Sequence, residues 1–195
     1  MNISNNGVRG RGAIGTRGAA IRKLLGLLAL ASGLLVGAGE ARAATATVSD
    51  NFESGGWSFW SSNPSLGSGF ISTWSGARSP THYAFMYFAQ TSTSSWQQAY
   101  KVFTTAVTPT ACSAKVYLNG IGGGGPGAVE MIDSATWTYI GTAPFTLPSG
   151  TTWNAYSVSN SFPCTKSIAL RVILSSSASK PTELYVDDAS VTWTF

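Results

Sequence analysis

Histidine, cysteine and charge are all scarce in this sequence, and each shortage closes off a class of function. There is one histidine, His82, and there are two cysteines, Cys112 and Cys164. So few soft ligands make a four-ligand zinc site improbable. A Ser-His-Asp triad would have to use His82, which follows Pro80 in a turn-like stretch, and no Gly-x-Ser-x-Gly elbow occurs. Charged residues are 10% of the chain. Six of the 12 Lys and Arg side chains lie in residues 1–43. The remainder, 44–195, carries six basic against seven acidic residues, a net charge of −1 (6 − 7). A nucleic-acid binder needs a basic patch on its folded part, and none is left here.

Aromatic residues are missing from 1–43, while all 23 of them fall in 44–195. The first segment reads as an export signal. It has a basic stretch (Arg9, Arg11, Arg17, Arg22, Lys23), an apolar run from Leu24 to Gly39, and a small-x-small cleavage site, Ala41-Arg42-Ala43. The apolar run is shorter than the ~18 residues of a membrane span, and Gly and Ser dilute it. An uncleaved anchor is the alternative. The expectation is therefore a signal peptide over 1–43, a single domain over 44–195, secretion, and no membrane attachment after cleavage. In an oxidising compartment Cys112 and Cys164 form one disulfide by default, worth roughly 4 kcal/mol on the loop-entropy argument; two free thiols are the alternative.

No helical period runs through 44–195. Short alternating runs recur instead between Gly, Pro, Ser and Asn, giving ten strands near 46–53, 69–74, 83–89, 96–103, 112–119, 127–133, 136–141, 152–158, 166–175 and 183–194. That pattern predicts an all-β jelly-roll sandwich of antiparallel strands. In 112–119, Ala114, Val116 and Leu118 share a face; in 166–175, Ile168, Leu170, Val172 and Leu174 do. Asn119 to Gly127, NGIGGGGPG, lacks the Lys-Ser/Thr of a phosphate loop and reads as a turn.

The last strand poses a problem. Asp187 and Asp188 are adjacent between Val186 and Val191. Side chains alternate along a strand, so both cannot face water, and a buried carboxylate needs a partner or a cation. The opening segment holds a matching motif: Asn51-Phe52-Glu53, a Gly-rich turn and Trp57. Together with Leu184-Tyr185-Val186-Asp187-Asp188-Ala189-Ser190-Val191, it resembles the galactose-binding-like jelly rolls, and among them the CenC-type carbohydrate-binding modules. The resemblance spans nearly all of 44–195; its terminal motifs carry it, and the middle matches in pattern only. It implies a structural calcium ion joining the two chain ends, with Glu53 and Asp187 or Asp188 as ligands and backbone carbonyls completing the shell. Where the family has a Gly before a Tyr segment, this chain has Ser79-Pro80-Thr81-His82-Tyr83. The alternative is exposed aspartates beside a bulge and no metal.

Sugars present flat C–H faces and rings of hydroxyls, which proteins meet with exposed indoles and planar polar groups. Trp57 and Trp193 read as core. Trp60, Trp74 and Trp96 sit beside polar runs and are the candidate platforms, with Gln98, Tyr117 and Arg171 as polar contacts on an open sheet. Each of these could equally be partly buried scaffold. Catalysis has little to draw on: Glu130 and Asp133 are the only close acids away from the proposed ion site, and their odd spacing puts them on opposite faces. The expected function is a monomeric, non-catalytic binder of a polysaccharide or glycan. A structural or adhesive module is the rival, and a glycoside hydrolase the third reading.

Overall fold

The structure is a computed structural model that describes residues 43–121, 125–147, 150–177 and 181–195. The export-signal segment lies outside the described residues. Among the described residues eleven strands run β1 (Thr45–Asp50), β2 (Ser58–Ser61), β3 (Gly67–Thr73), β4 (His82–Phe88), β5 (Trp96–Thr104), β6 (Ala111–Ile121), β7 (Pro126–Asp133), β8 (Tyr139–Thr146), β9 (Gly150–Ser159), β10 (Ser167–Ser175) and β11 (Thr182–Thr194). They form two antiparallel sheets, one in the order β3-β4-β11-β6-β9 with β1 also on β11, the other β2-β5-β10-β7-β8. The expected all-β sandwich is what the chain adopts. The strand absent from the sequence reading is β2, only four residues long, SFWS, and too short for alternation to declare itself.

Alternation decides which side chains fill the sandwich. Ile168, Leu170, Val172 and Leu174 on β10, and Ala114, Val116 and Leu118 on β6, all point inward and are buried. Phe52, Trp57 and Trp193 join the same core, as their motif positions suggest. Each buried Leu, Ile or Val contributes on the order of 1.5–3 kcal/mol relative to exposure.

The cysteines are joined, Cys112 to Cys164, with Cα atoms 5.9 Å apart. Cys112 is on β6, and Cys164 lies in the connection between β9 and β10. The bond therefore ties β6 to the connection that runs from its neighbour β9 across to β10. Changing both cysteines to alanine is expected to cost about 2–5 kcal/mol. Thermal melting should show that as a Tm lower by roughly 5–15 °C.

One feature of β11 positions everything at its end of the molecule. Strand β6 follows one edge of β11 along both Glu183–Asp187 and Ser190–Thr194. The other edge is shared: β4 takes Thr182–Val186 and β1 takes Ala189–Thr194. The handover falls on Asp187-Asp188, where a bulge interrupts the β6 register and Asp188 has φ of 45°. An extra residue in one strand turns two neighbours out of strict alternation. Thus Asp187 is fully buried while Asp188 lies nearer the surface.

Candidate functional site

The outward face of the five-stranded sheet carries a polar centre between two aromatic groups. Cross-strand register puts Arg171 of β10 between Tyr100 of β5 and Glu130 of β7. The Arg171 guanidinium donates from Nε to Glu130 Oε2 at 2.7 Å, from one terminal nitrogen to Gln98 Oε1 at 3.2 Å, and from the other to Tyr139 Oη at 3.2 Å. Glu130 and Gln98 are buried, 6% and 9% exposed, so this network is held rigid. At one end Trp60 and Trp96 are in contact, ring centroids 4.4 Å apart, and are exposed by 50% and 36%. At the other end Trp137 meets Tyr100 edge-on at 5.4 Å, and Tyr139 stands beside Arg171 at 5.7 Å. Trp137 and Tyr139 are about half exposed. Adjacent strands lie about 4.8 Å apart, so from β2 to β8 the face spans about 19 Å.

Four of the six predicted contact residues meet on this face: Trp60, Trp96, Gln98 and Arg171. Trp74 and Tyr117 do not; the expectation of one shared sheet is corrected for both. Trp74 follows β3 and Tyr117 is on β6, both in the six-stranded sheet. Trp74 belongs to an aromatic run with Tyr83 and Tyr185, which Phe85 and Phe70 continue at spacings of 5.4 Å. Tyr117 lies under two cations, with the Arg78 guanidinium 3.5 Å and the Lys115 ammonium 4.8 Å from its ring centroid. The hydrogen bond from Lys115, together with both positive charges, lowers its phenol pKa against the opposing effect of desolvation.

The residues missed from the sequence are Tyr100, Glu130, Trp137 and Tyr139. A strand was expected over 136–141, but β7 ends at Asp133 and a turn follows. Asp133 accepts from the Ala135 amide at 3.0 Å and the Thr136 hydroxyl at 3.0 Å, and Trp137 takes φ of 57°. That turn lifts the indole onto the face. A signal was present in Asp133-Ser134-Ala135-Thr136, where an acid and small polar residues favour a turn. Glu130 and Asp133 do not act as a pair: the first is bonded to Arg171, the second caps the turn.

At the bulge, the loop from Arg78 to His82 is gripped from both chain ends. Asp187 Oδ2 accepts the Arg78 amide at 2.8 Å and the Ser79 amide at 2.9 Å; its Oδ1 accepts the Ser79 hydroxyl at 2.6 Å and the Asp188 amide at 2.7 Å. Glu53 Oε1 accepts the Thr81 amide at 2.9 Å and the His82 amide at 2.7 Å, which hold its pKa down at about 2. Asp188 turns away and pairs with the Arg78 side chain. Asp50 organises the turn before β2, accepting the Phe52 amide and the Trp57 indole, both at 2.9 Å, and pairing with Lys101. Burial alone would raise the Asp50 pKa, but the Lys101, Trp57 and Phe52 bonds outweigh it and leave the carboxyl below its usual value.

No protein-family model matches the sequence, and no curated protein matches it. Solved structures do. The chain is similar to TmCBM61, solved in complex with β-1,4-galactotriose, at 12% identity over 72% of this chain and 92% of that one, with a TM-score of 0.54. It is similar to a structure of carbohydrate-binding modules of the β-sandwich superfamily at 12% identity over 75% and 73%, TM-score 0.52. It also matches the structure of the glycoside hydrolase domain of Endo-D from Streptococcus pneumoniae R6 at 12% identity, TM-score 0.51, over 69% of this chain but 21% of that one.

The fold is an antiparallel β-sandwich that these solved structures share.

Within this sandwich, the donor set at the bulge suits a hard cation. Three oxygens gather round Ser79 Oγ: Asp187 Oδ1 at 2.6 Å, the Asn51 carbonyl at 2.9 Å and the His82 carbonyl at 3.5 Å. A hydroxyl has one hydrogen to give, so the cluster is rich in acceptors. Burial also pushes the Asp187 pKa up, despite the Ser79 and Arg78 donors. A cation relieves both conditions. Among the described residues no three His, Cys, Asp or Glu side chains cluster as a metal group. Carbonyl and hydroxyl oxygens would therefore supply much of such a shell, which is ordinary for calcium.

Proposed function

We propose that the chain is a secreted, non-catalytic carbohydrate-binding protein that takes a glycan across the outward face of the five-stranded sheet. One observation carries this: five exposed or half-buried aromatics, Trp60, Trp96, Tyr100, Trp137 and Tyr139, flank the Gln98–Arg171–Glu130 network. Indoles and phenols offer flat apolar faces to sugar C–H groups, and planar fixed donors and acceptors offer direction to hydroxyls. The length of the face suits a chain of several sugars better than a single one. The neighbouring modules support the reading, one of them holding β-1,4-galactotriose.

Hydrolysis of a glycosidic bond calls for two carboxyls flanking the sugar. On this face Glu130 is engaged by Arg171, and no second acid among the described residues stands beside it. A hydrolase reading has no acid pair to rest on. Secretion is supported by the disulfide and by the export-signal pattern of 1–43. A glycan array probed with the purified domain tests the function. Binding to one group of β-linked glycans, without release of reducing sugar, is expected; an array with no bound glycan would leave an adhesive or structural module as the better reading.

We further infer a structural calcium ion at the bulge. Asp187, the Asn51 and His82 carbonyls and the Ser79 hydroxyl would hold it, with Glu53 nearby, bonded to the Thr81 and His82 amides. The ion would supply a positive charge for an oxygen cluster drawn from both chain ends. Melting with EDTA and with excess Ca²⁺ checks this. A ligand bound only by the folded state at 100 times its Kd stabilises by about 2.7 kcal/mol. A Tm higher by several degrees in Ca²⁺ is therefore expected, and equal values would remove the ion.

A further inference from the structure

Beside the bulge, on the six-stranded sheet, lies a notch of about 570 Å³ whose lining includes Ser49, Arg78, Lys115, Tyr117, Asp188 and Ser190. Register explains its floor: Ser49 of β1 is opposite Ser190 of β11, and Ser190 is opposite Lys115 of β6. Two hydroxyls and an ammonium thus stand in one row across three strands. The Arg78 loop forms the wall over Tyr117.

We propose that this notch binds a singly charged oxyanion carried on a sugar, the carboxylate of a uronate residue. Charge bookkeeping points there. Of the charged groups lining it, Asp188 is matched by Arg78, and Asp50 by Lys101 from behind. Lys115 has no carboxylate partner among the described residues; its described contacts are the ring and the phenol of Tyr117, neither of which carries a negative charge. One uncompensated positive charge remains, in a segment with only six cations in 44–195. It matches a monoanion; a phosphate dianion would add a second negative charge beside Asp188 and Asp50. Neither Ser49 Oγ nor Ser190 Oγ has a hydrogen-bond partner among the described residues, so both can donate to the second carboxylate oxygen, and charge-assisted bonds of this kind are the strong ones. The Arg78 fork, already oriented by Asp188 and the Tyr117 ring, keeps further N–H groups for the same anion.

That the carboxylate rides on a sugar rests on the carbohydrate reading; the oxyanion site itself does not. The test is a ¹H–¹⁵N NMR titration of the whole 44–195 domain with trigalacturonate, with neutral galactotriose and with sodium acetate. Trigalacturonate should shift the Lys115, Tyr117 and Ser190 amides, galactotriose should not, and acetate should bind at least about tenfold more weakly. Lys115→Met should weaken trigalacturonate about tenfold and reduce the dependence on salt, with Tm unchanged, and Lys115→Arg should restore both. Unmoved Lys115 and Tyr117 amides, full affinity in Lys115→Met, or acetate binding as tightly as the trisaccharide would each overturn the proposal. Failure of every neutral glycan to bind, with the Lys115 response intact, would sink the five-stranded-sheet reading and leave this site standing.

Discussion

Replacing Trp60 and Trp96 together with alanine should reduce glycan affinity about 100-fold or more while the domain stays folded. Buried aromatic anchors at an interface each contribute about 2 kcal/mol or more, and 1.4 kcal/mol is tenfold in affinity. The two rings touch, so the losses will not simply add; the double variant is therefore the cleaner test. Both side chains are substantially solvent-exposed in the free protein, so removing them should leave the Tm nearly unchanged. Trp74→Ala is the internal control, because its indole is on the other sheet. Isothermal titration against the best array glycan gives the numbers. Unchanged affinity in the double variant would move the site off this face.

Asp187→Ala and Asp188→Ala should differ far more than their adjacency suggests. Asp187 is fully buried and accepts three backbone amides and one hydroxyl. Removing it strands those donors, each unsatisfied group costing about 1–3 kcal/mol with some relief from entering water. A total of about 3–5 kcal/mol is expected in urea unfolding, with the slope preserved. Asp188 makes one partly exposed ion pair with Arg78, and such pairs contribute about 0–1 kcal/mol. Similar losses for the two variants would mean that the bulge does not divide their roles.

The two-residue period carried much of the fold. Inward sets such as Ile168, Leu170, Val172 and Leu174 could be named from the sequence because alternation is a property of the strand alone. Alternation does not say which sheet a strand joins. Tyr117 and Arg171 each stand on the outer side of a well-patterned strand, yet β6 and β10 belong to opposite layers. The Arg171–Glu130 contact is equally invisible in one dimension: the residues are 41 apart and become neighbours only through the β7–β10 register. Trp137 was hidden by a different cause, since a positive φ in a turn cannot be read from a Thr-Trp-Thr-Tyr run that looks like strand. The paired aspartates gave the opposite outcome. Two adjacent acids in an apolar strand read as half of an ion site, with a bulge and two exposed aspartates as the alternative; the structure has a bulge at Asp187-Asp188, with Asp187 buried.

Seven tryptophans make the central claim directly measurable. Their indole N–H resonances can be followed one by one by ¹H–¹⁵N NMR while a neutral oligosaccharide is titrated into the domain. The account predicts that Trp60, Trp96 and Trp137 shift, while Trp57, Trp74, Trp193 and Trp153, which is on β9 of the other sheet and donates its indole N–H to the Gly76 carbonyl, stay in place. Movement of Trp74 and Trp153 with Trp60 and Trp96 unmoved would contradict it.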